Sequence, residues 1–279
     1  MATSFDPVAL GPYSLGGERP VFILGPCVIE SEEFLLDIAP RIQEIAQSVD
    51  IDFVFKASYD KANRSSIDSF RGMDCLEGCQ LLHRVGQELG VPVTTDIHNE
   101  EQAAIAGEWI DILQIPAFLC RQTDLLEAAA KTGRVVNVKK GQFLAPWDVK
   151  NIAEKLEAFG CEQYFITERG NSFGYNALVA DMRSIPWIQE DGLRIVFDAT
   201  HSVQRPGGLG SSSGGDGRLA PILARSAMAA GCDGIFMETH PDPSKALSDG
   251  PNQVPLDQLA ETLSMLKKIY HLVRESSAS

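Results

Sequence analysis

Short apolar segments of three or four residues alternate with longer, more polar segments along this chain. Eight of them are rich in β-branched and aromatic residues and show no polar alternation, which is typical of parallel strands that helices cover. These predicted strands lie at 21–24, 53–56, 93–95, 112–115, 135–138, 164–167, 195–197 and 234–237.

Between the predicted strands, apolar residues recur at a spacing near 3.6, which predicts amphipathic helices. The clearest lie at 31–48, 124–132, 147–159, 219–230 and 256–273. Eight strand–helix units predict an α/β fold, a single-domain (β/α)8 TIM barrel over 21–274 with an N-terminal extension at 1–20 and a tail at 275–279. The alternative is a doubly wound open sheet, but no G-x-G-x-x-G pattern follows the first strand. A Gly/Ser-rich segment at 206–217 predicts a long functional loop.

Composition narrows the possible partners. The chain has 279 residues and a net charge of −14, so we expect neither a nucleic acid nor an anionic membrane as partner. No apolar run reaches the ~20 residues of a membrane span, and the first 20 residues do not form a secretory signal. The six cysteines are therefore expected as thiols or ligands in a reducing cytoplasm. Cys75 and Cys79, at helical spacing, are expected to pack.

Charged residues crowd just after the predicted strands. Since the carboxyl ends of barrel strands share one face, these side chains are expected to meet at an active site. Converging cations favour a phosphate or carboxylate guest, which Arg holds through its fork and Lys as a point charge. Alternatively, each could be a solvated residue or a partner of a nearby carboxylate such as Asp60, Asp96 or Glu168. The cations are Lys56, Lys61, Arg64, Lys139 and Arg169.

A thiol, an imidazole and two carboxylates follow the first, seventh and eighth strands, which are neighbours in a closed barrel. Such a set suits a divalent first-row metal, and it consists of Cys27, His201, Glu238 and Asp249. Alternatively, Cys27 is a small buried apolar residue and His201 a hydrogen-bonded core residue. Spacing alone also allows a Schiff-base aldolase with Lys139 as the nucleophile.

Long motifs in these loops resemble those of the 3-deoxy-D-manno-octulosonate 8-phosphate (KDO 8-phosphate) synthase family. The resemblance extends from about Val21 to about Leu272 and includes GPCVIES, FKASYDKANRSSIDSFRG, VNVKKGQFLAPWD, DATHSVQRPGG and METHPDPSKALSDG. It implies a homotetrameric (β/α)8 barrel that condenses phosphoenolpyruvate with D-arabinose 5-phosphate and water, breaking the carbon–oxygen bond of phosphoenolpyruvate without a Schiff base. The related synthase that uses erythrose 4-phosphate has a K-P-R-T-S motif where this chain has KANRSS.

The resemblance also implies roles for individual residues. Asn63, Arg64 and Ser65 would contact arabinose 5-phosphate, with Arg64 and Ser65 at its phosphate across a subunit boundary. Phosphoenolpyruvate would be held by Lys56, Lys61, Gln114, Ala117, Lys139 and Arg169, with Ala117 acting through its backbone N–H. The loop at 206–217 is expected to close over the site and exclude water.

Family members divide into metal-dependent and metal-independent types, and the latter carry Asn after the first strand. This chain has Cys27 there and keeps His201, Glu238 and Asp249, so we expect one divalent ion among Mn, Fe, Zn, Co and Cd. Lys61 and Lys139 would orient phosphoenolpyruvate, and Asp96, His201 and Asp249 are candidates for moving protons. Two alternatives are a synthase using erythrose 4-phosphate and a barrel that binds phosphosugars without catalysis.

Overall fold

Eight parallel strands form a closed barrel in the computed structural model, which describes residues 6–64, 66–206 and 214–277. Each strand pairs with its neighbours in the chain, and β8 also pairs with β1, which closes the sheet. The strands are β1 (Val21–Gly25), β2 (Asp52–Lys56), β3 (Val93–Asp96), β4 (Ile112–Ile115), β5 (Val135–Lys139), β6 (Tyr164–Glu168), β7 (Ile195–Asp198) and β8 (Gly234–His240). The predicted single-domain (β/α)8 barrel is confirmed.

Helices surround the barrel, one after each strand. They are α1 (Glu32–Val49), α2 (Cys75–Leu89), α3 (Glu100–Trp109), α4 (Thr123–Lys131), α5 (Lys150–Ala158), α6 (Ser184–Glu190), α7 (Ala220–Ala229) and α8 (Leu259–Ser277). Ser31 caps α1 by accepting a hydrogen bond from the backbone N–H of Phe34 at 3.0 Å, at the start of the helix predicted over 31–48. Of these helices, α2, α3 and α6 had no clear periodic signal.

Alternation along each strand divides the core into two parts. Phe22 and Leu24 of β1 point outward and pack with the helices, whereas Val21 and Ile23 point into the barrel. An antiparallel hairpin, Val8–Leu10 with Tyr13–Leu15, places the buried side chains of Leu10 and Leu15 against this inner core. The amino-terminal end of the barrel is therefore packed, which leaves its carboxyl end for a cavity.

Two further findings bear on the composition argument. All six cysteines are buried free thiols, and Cys75 and Cys79 belong to the outer core as expected. Among the described residues, no helix combines the length and the apolar character that crossing a bilayer requires.

The predicted loop at 206–217 is described only in part, because residues 207–213 lie outside the described ranges. At its two sides, Gln204–Arg205 and Gly214–Gly215 form a short antiparallel pair. Closure of this loop over the site stays a prediction.

Candidate active site

A cavity of about 360 Å³ opens at the carboxyl end of the barrel. This size lies within the range of small-molecule sites. Most of the residues predicted to act together line it: Lys56, Lys61, Asn63, Arg64, Asp96, Gln114, Ala117, Lys139, Arg169, His201 and Asp249. Cys27 and Glu238 are buried beside it, while Ser65 lies outside the described residues.

The four predicted metal ligands lie together at one side of the cavity. Ligand atoms of Cys27, Glu238 and Asp249 are all within 4.8 Å of one another. The Nε2 atom of His201 lies 3.7 Å from Oε2 of Glu238 and 3.9 Å from Oδ2 of Asp249. The thiol of Cys27 donates to Oδ2 of Asp249 at 3.6 Å. The loops after β1, β7 and β8 therefore meet as their barrel neighbourhood predicted.

Two buried groups in this cluster are suited to binding a cation: a carboxylate oxygen of Glu238 and the thiol of Cys27. Oε2 of Glu238 has no hydrogen-bond partner among the described residues, although the side chain is 1% exposed. Burial and the Glu238 carboxylate raise the pKa of the Cys27 thiol, so the protein alone favours the neutral thiol. Both groups fit a divalent ion, since a metal supplies the positive charge that an unpartnered carboxylate oxygen and a thiolate require.

Asp198, at the end of β7, orients His201. Its Oδ2 accepts a hydrogen bond from Nδ1 of His201 at 2.8 Å, and its Oδ1 accepts one from the backbone N–H of the same residue at 2.9 Å. With Nδ1 carrying the proton, the lone pair of Nε2 faces Glu238 and Asp249. Burial opposes the charge of Asp198, but His201 and Lys139 bring its pKa well below the ordinary value.

Two of the five cations donate hydrogen bonds to carboxylates. Lys56 donates to Oε1 of Glu238 at 2.6 Å, and Lys139 donates to Oδ2 of Asp198 while lying 3.5 Å from the centre of the Phe236 ring. Burial lowers the pKa of Lys139, which Asp198 only partly offsets. These pairs hold the two lysines at the floor of the cavity.

Arg169 offers a free donor. It follows β6 directly and is 4% exposed. Its Nη2 donates to Oε1 of Gln204 at 3.1 Å, whereas Nη1 has no partner among the described residues. Gln204 also donates from Nε2 to Oδ1 of Asp249 at 3.2 Å and so links the guanidinium to the cluster of predicted metal ligands. A buried guanidinium N–H without a partner at a cavity wall is suited to an anion.

Hydrogen bonds also fix the polar residues of β3 and β4. Ser58 donates to Oδ1 of Asp96 at 2.6 Å, and Nε2 of His98 lies 3.4 Å from Oδ2. Burial opposes the charge of Asp96, but His98 and Lys61 bring its pKa well below the usual range. Oε1 of Gln114 accepts from Asn137 at 3.3 Å, which leaves the amide NH₂ of Gln114 as the donor at the cavity.

The segment after β2 forms another part of the wall. Arg64 donates from Nη1 to Oγ of Ser248 at 2.7 Å and from Nη2 to the carbonyl of Leu247 at 3.3 Å. It therefore contacts the loop that carries Asp249. Asn63 is exposed at the rim, and Ala117 begins a short 3-10 helix after β4.

The site residues that were not assigned from the sequence include Asp198, Gln204 and Gln142. Asp198 stood at a strand end, but the pattern could not show that it pairs with Lys139 and His201. Gln204 and Gln142 lie in the DATHSVQRPGG and VNVKKGQFLAPWD motifs, and both line the cavity. Oε1 of Gln142 is buried without a partner among the described residues.

The fold and site together define a (β/α)8 barrel whose cavity is lined by cationic side chains beside a cluster of metal-ligand type. Comparison with known proteins makes this more specific, because the profile of the DAHP synthetase I family matches residues 9–275. The chain belongs to this family.

Several similar curated proteins carry the name 2-dehydro-3-deoxyphosphooctonate aldolase. A protein of Cyanothece sp. is 58% identical over 92% of this chain and 94% of its own length. Those of Geobacter metallireducens (56% identity, 96% and 98%) and Nitratidesulfovibrio vulgaris (58% identity, 91% and 93%) are similarly close. The resemblance seen in the sequence motifs is confirmed.

Proposed function

We propose that this protein condenses phosphoenolpyruvate with D-arabinose 5-phosphate and water to give KDO 8-phosphate and phosphate. The observation that carries the proposal is the unpartnered Nη1 of buried Arg169, in a cavity shared with Arg64 and the metal-ligand cluster. The name of the curated relatives, 2-dehydro-3-deoxyphosphooctonate aldolase, is a synonym for KDO-8-phosphate synthase and supports the same reaction. A synthase using erythrose 4-phosphate is the less supported alternative.

Phosphoenolpyruvate would bind at the floor and inner wall. Arg169 would hold its phosphate through Nη1, with Lys139 adding positive charge from below. Lys61, whose Nζ lies 3.9 Å from Oε1 of Glu238, is loosely paired and would orient the carboxylate. The amide of Gln114 and the backbone N–H of Ala117 would complete the set, with Lys56 as a buried charge behind it.

Arabinose 5-phosphate would bind toward the rim, where Asn63 and Arg64 line the cavity and are followed in the sequence by Ser65. Arg64 donates to Ser248 and to the carbonyl of Leu247 in this structure, and a phosphate dianion would be a stronger acceptor than either. Anchoring the far end of the sugar here leaves its aldehyde to extend toward phosphoenolpyruvate.

One divalent ion, of the kind of Mn, Fe, Zn, Co or Cd, would be held by Cys27, His201, Glu238 and Asp249. The donor set fits because it combines a thiol, an oriented imidazole and two carboxylates. When bound, the ion would supply Lewis-acid polarisation of an oxygen or a water of lowered pKa.

The residues of the chain itself would contribute to catalysis by positioning the two substrates. Holding both substrates in one cavity converts a two-body encounter into a positioned one, worth up to about 7–11 kcal/mol in favourable cases. C3 of phosphoenolpyruvate would attack the aldehyde, water would add to C2, and the resulting phosphohemiketal would lose phosphate. Arg169 and Lys139 would stabilise the leaving phosphate.

Proton transfer requires groups at the cavity wall. Asp96 is one candidate, because it lines the cavity and Ser58 and His98 fix its two oxygens. Asp249 and His201 are further candidates, because both line the cavity.

A homotetramer in the cytoplasm is part of the same proposal. Large apolar side chains are exposed on the loops after β4, β5 and β6: Phe118, Phe143, Trp147, Phe173 and Tyr175. Exposed aromatic residues concentrated on neighbouring loops favour contact with another subunit. Equilibrium ultracentrifugation would test this, and a monomer would contradict it.

The decisive assay is phosphate release from phosphoenolpyruvate with either arabinose 5-phosphate or erythrose 4-phosphate. We expect turnover with the five-carbon sugar, loss of activity after treatment with a chelator and recovery with Mn²⁺ or Zn²⁺. Turnover with erythrose 4-phosphate but not with arabinose 5-phosphate would show that the four-carbon sugar is the substrate. Binding without phosphate release would indicate a non-catalytic barrel, and activity that survives verified metal removal would reduce Cys27 to a packing residue.

A further inference from the structure

Asp198 occupies the centre of the site without lining the cavity. It is fully buried at the end of β7, next to Phe236 of β8 in the sheet. Both of its oxygens are used: Oδ1 by Thr200 and the backbone of His201, Oδ2 by the His201 ring and Lys139. One carboxylate oxygen therefore contacts a proposed metal ligand and a proposed phosphate ligand together.

The contact with His201 decides which ring nitrogen faces the metal cluster. Because Oδ2 is an acceptor only, it holds the proton on Nδ1 and leaves Nε2 with its lone pair. The second bond, from the backbone N–H of His201 to Oδ1, fixes the residue at the start of its 3-10 turn. Loss of this carboxylate would free the ring to rotate or change tautomer.

The contact with Lys139 decides the position of a buried charge. The side chain of Lys139 is 6% exposed, and its ammonium lies over the ring of Phe236. Without an anion such a charge is costly to bury, and the lysine would lose either its charge or its position. Asp198 thus keeps the ammonium of Lys139 charged and in place before phosphoenolpyruvate arrives.

The geometry points to Asp198 as a positioning residue that prepares the metal site and the phosphoenolpyruvate site at once, through its shared Oδ2 atom. This inference rests on the proposed function, since it takes His201 as a metal ligand and Lys139 as a phosphate ligand. It adds that the two sites have a common support, so one substitution affects binding at both.

Asp198→Asn tests the inference with little change of shape. Its NH₂ group can face Nδ1 of His201 and drive the proton to Nε2, and it removes the negative charge beside Lys139. We expect the affinity for Zn²⁺, measured by competition with a chromogenic chelator, to fall by about 10- to 100-fold. We also expect the affinity of the metal-free protein for phosphoenolpyruvate, measured by calorimetry, to fall about 10-fold or more.

Asp233→Asn is the matched control. Asp233 is an equally buried carboxylate before β8, at the opposite end of the barrel, where it holds Arg194 and Arg274. It should lose stability without changing either affinity. A loss of Zn²⁺ affinity alone in Asp198→Asn, or equal losses in both variants, would overturn the shared role.

A spectroscopic measurement on the wild-type protein needs no variant. In metal-free protein above the titration range of histidine, the ¹⁵N signals of His201 should show a protonated Nδ1 and an unprotonated Nε2. The opposite tautomer would overturn the inference whether or not Asp198→Asn folds. Wild-type protein that binds no Zn²⁺ would instead refute the proposed metal site, whereas Zn²⁺ binding unchanged by Asp198→Asn would refute this inference alone.

Discussion

Arg169→Lys is the sharpest test of how the cavity holds phosphoenolpyruvate. The change keeps one positive charge but removes the guanidinium fork, and with it the buried Nη1 donor and the bond from Nη2 to Gln204. A hydrogen bond to a charged group contributes about 1.5–3 kcal/mol, so losing the one to phosphate should lower kcat/KM for phosphoenolpyruvate about 10- to 150-fold. The KM for arabinose 5-phosphate should change little.

The assay is steady-state phosphate release with each substrate varied in turn. Arg183→Lys provides the control, because Arg183 also follows β6 but is exposed and lies away from the cavity, where it pairs with Asp181 and stacks over the ring of Trp187. It should leave both constants unchanged. An equal effect of Arg169→Lys on both substrates, with thermal stability retained, would refute the assignment of Nη1 to phosphoenolpyruvate.

Three further predictions address other parts of the molecule. Arg64→Ala should raise the KM for arabinose 5-phosphate far more than that for phosphoenolpyruvate in the same assay, and equal increases would contradict its place at the sugar phosphate. Cys27→Ser should weaken Zn²⁺ binding, since a hydroxyl is a poorer ligand than a thiolate; unchanged competition with a chelator would remove Cys27 from the site. Gly25→Ala would place a Cβ 1.8 Å from the carbonyl oxygen of Lys56 and should cost about 1–3 kcal/mol or more in urea unfolding. Gly90→Ala, where nothing lies within 4 Å, should cost only about 1 kcal/mol, and equal losses would show that the contact is unimportant.

The barrel strands could be predicted from the sequence because each is buried on both faces, and the apolar runs end where the polar site begins. Helices α2, α3 and α6 gave weaker signals for physical reasons. In α2, Gly78 and Gly86 interrupt the apolar pattern, and a Cβ at either would lie within 2.6 Å of Tyr59 or Val93. Helix α3 has small alanines as its buried residues, and α6 is a seven-residue helix that contains Pro186.

The convergence of the site residues was also predictable, since strand ends of a barrel share one face. The sequence did not predict which carboxylate each cation pairs with. The sequence suggested Asp60 and Glu168 as partners for the cations of the cavity, but Asp60 pairs with Arg71 and Glu168 with Lys140. Which carboxylate a lysine reaches depends on the inward register of neighbouring strands, and a linear pattern does not carry this information.

That register explains why some cations of the site are paired with carboxylates of the protein while another keeps a donor for a ligand. Along β2 and β8 the residues that face inward are first apolar, Val54 and Phe236, and then charged, Lys56 and Glu238. A charged side chain that faces inward directly above the apolar core is desolvated and requires a partner of opposite charge. The lysines at the floor are therefore paired within the protein. Arg169 lies beyond the end of its strand and keeps one donor unpaired. The cation that is free to select an anionic substrate is therefore expected in the loop layer, one step above the charges that hold the barrel together.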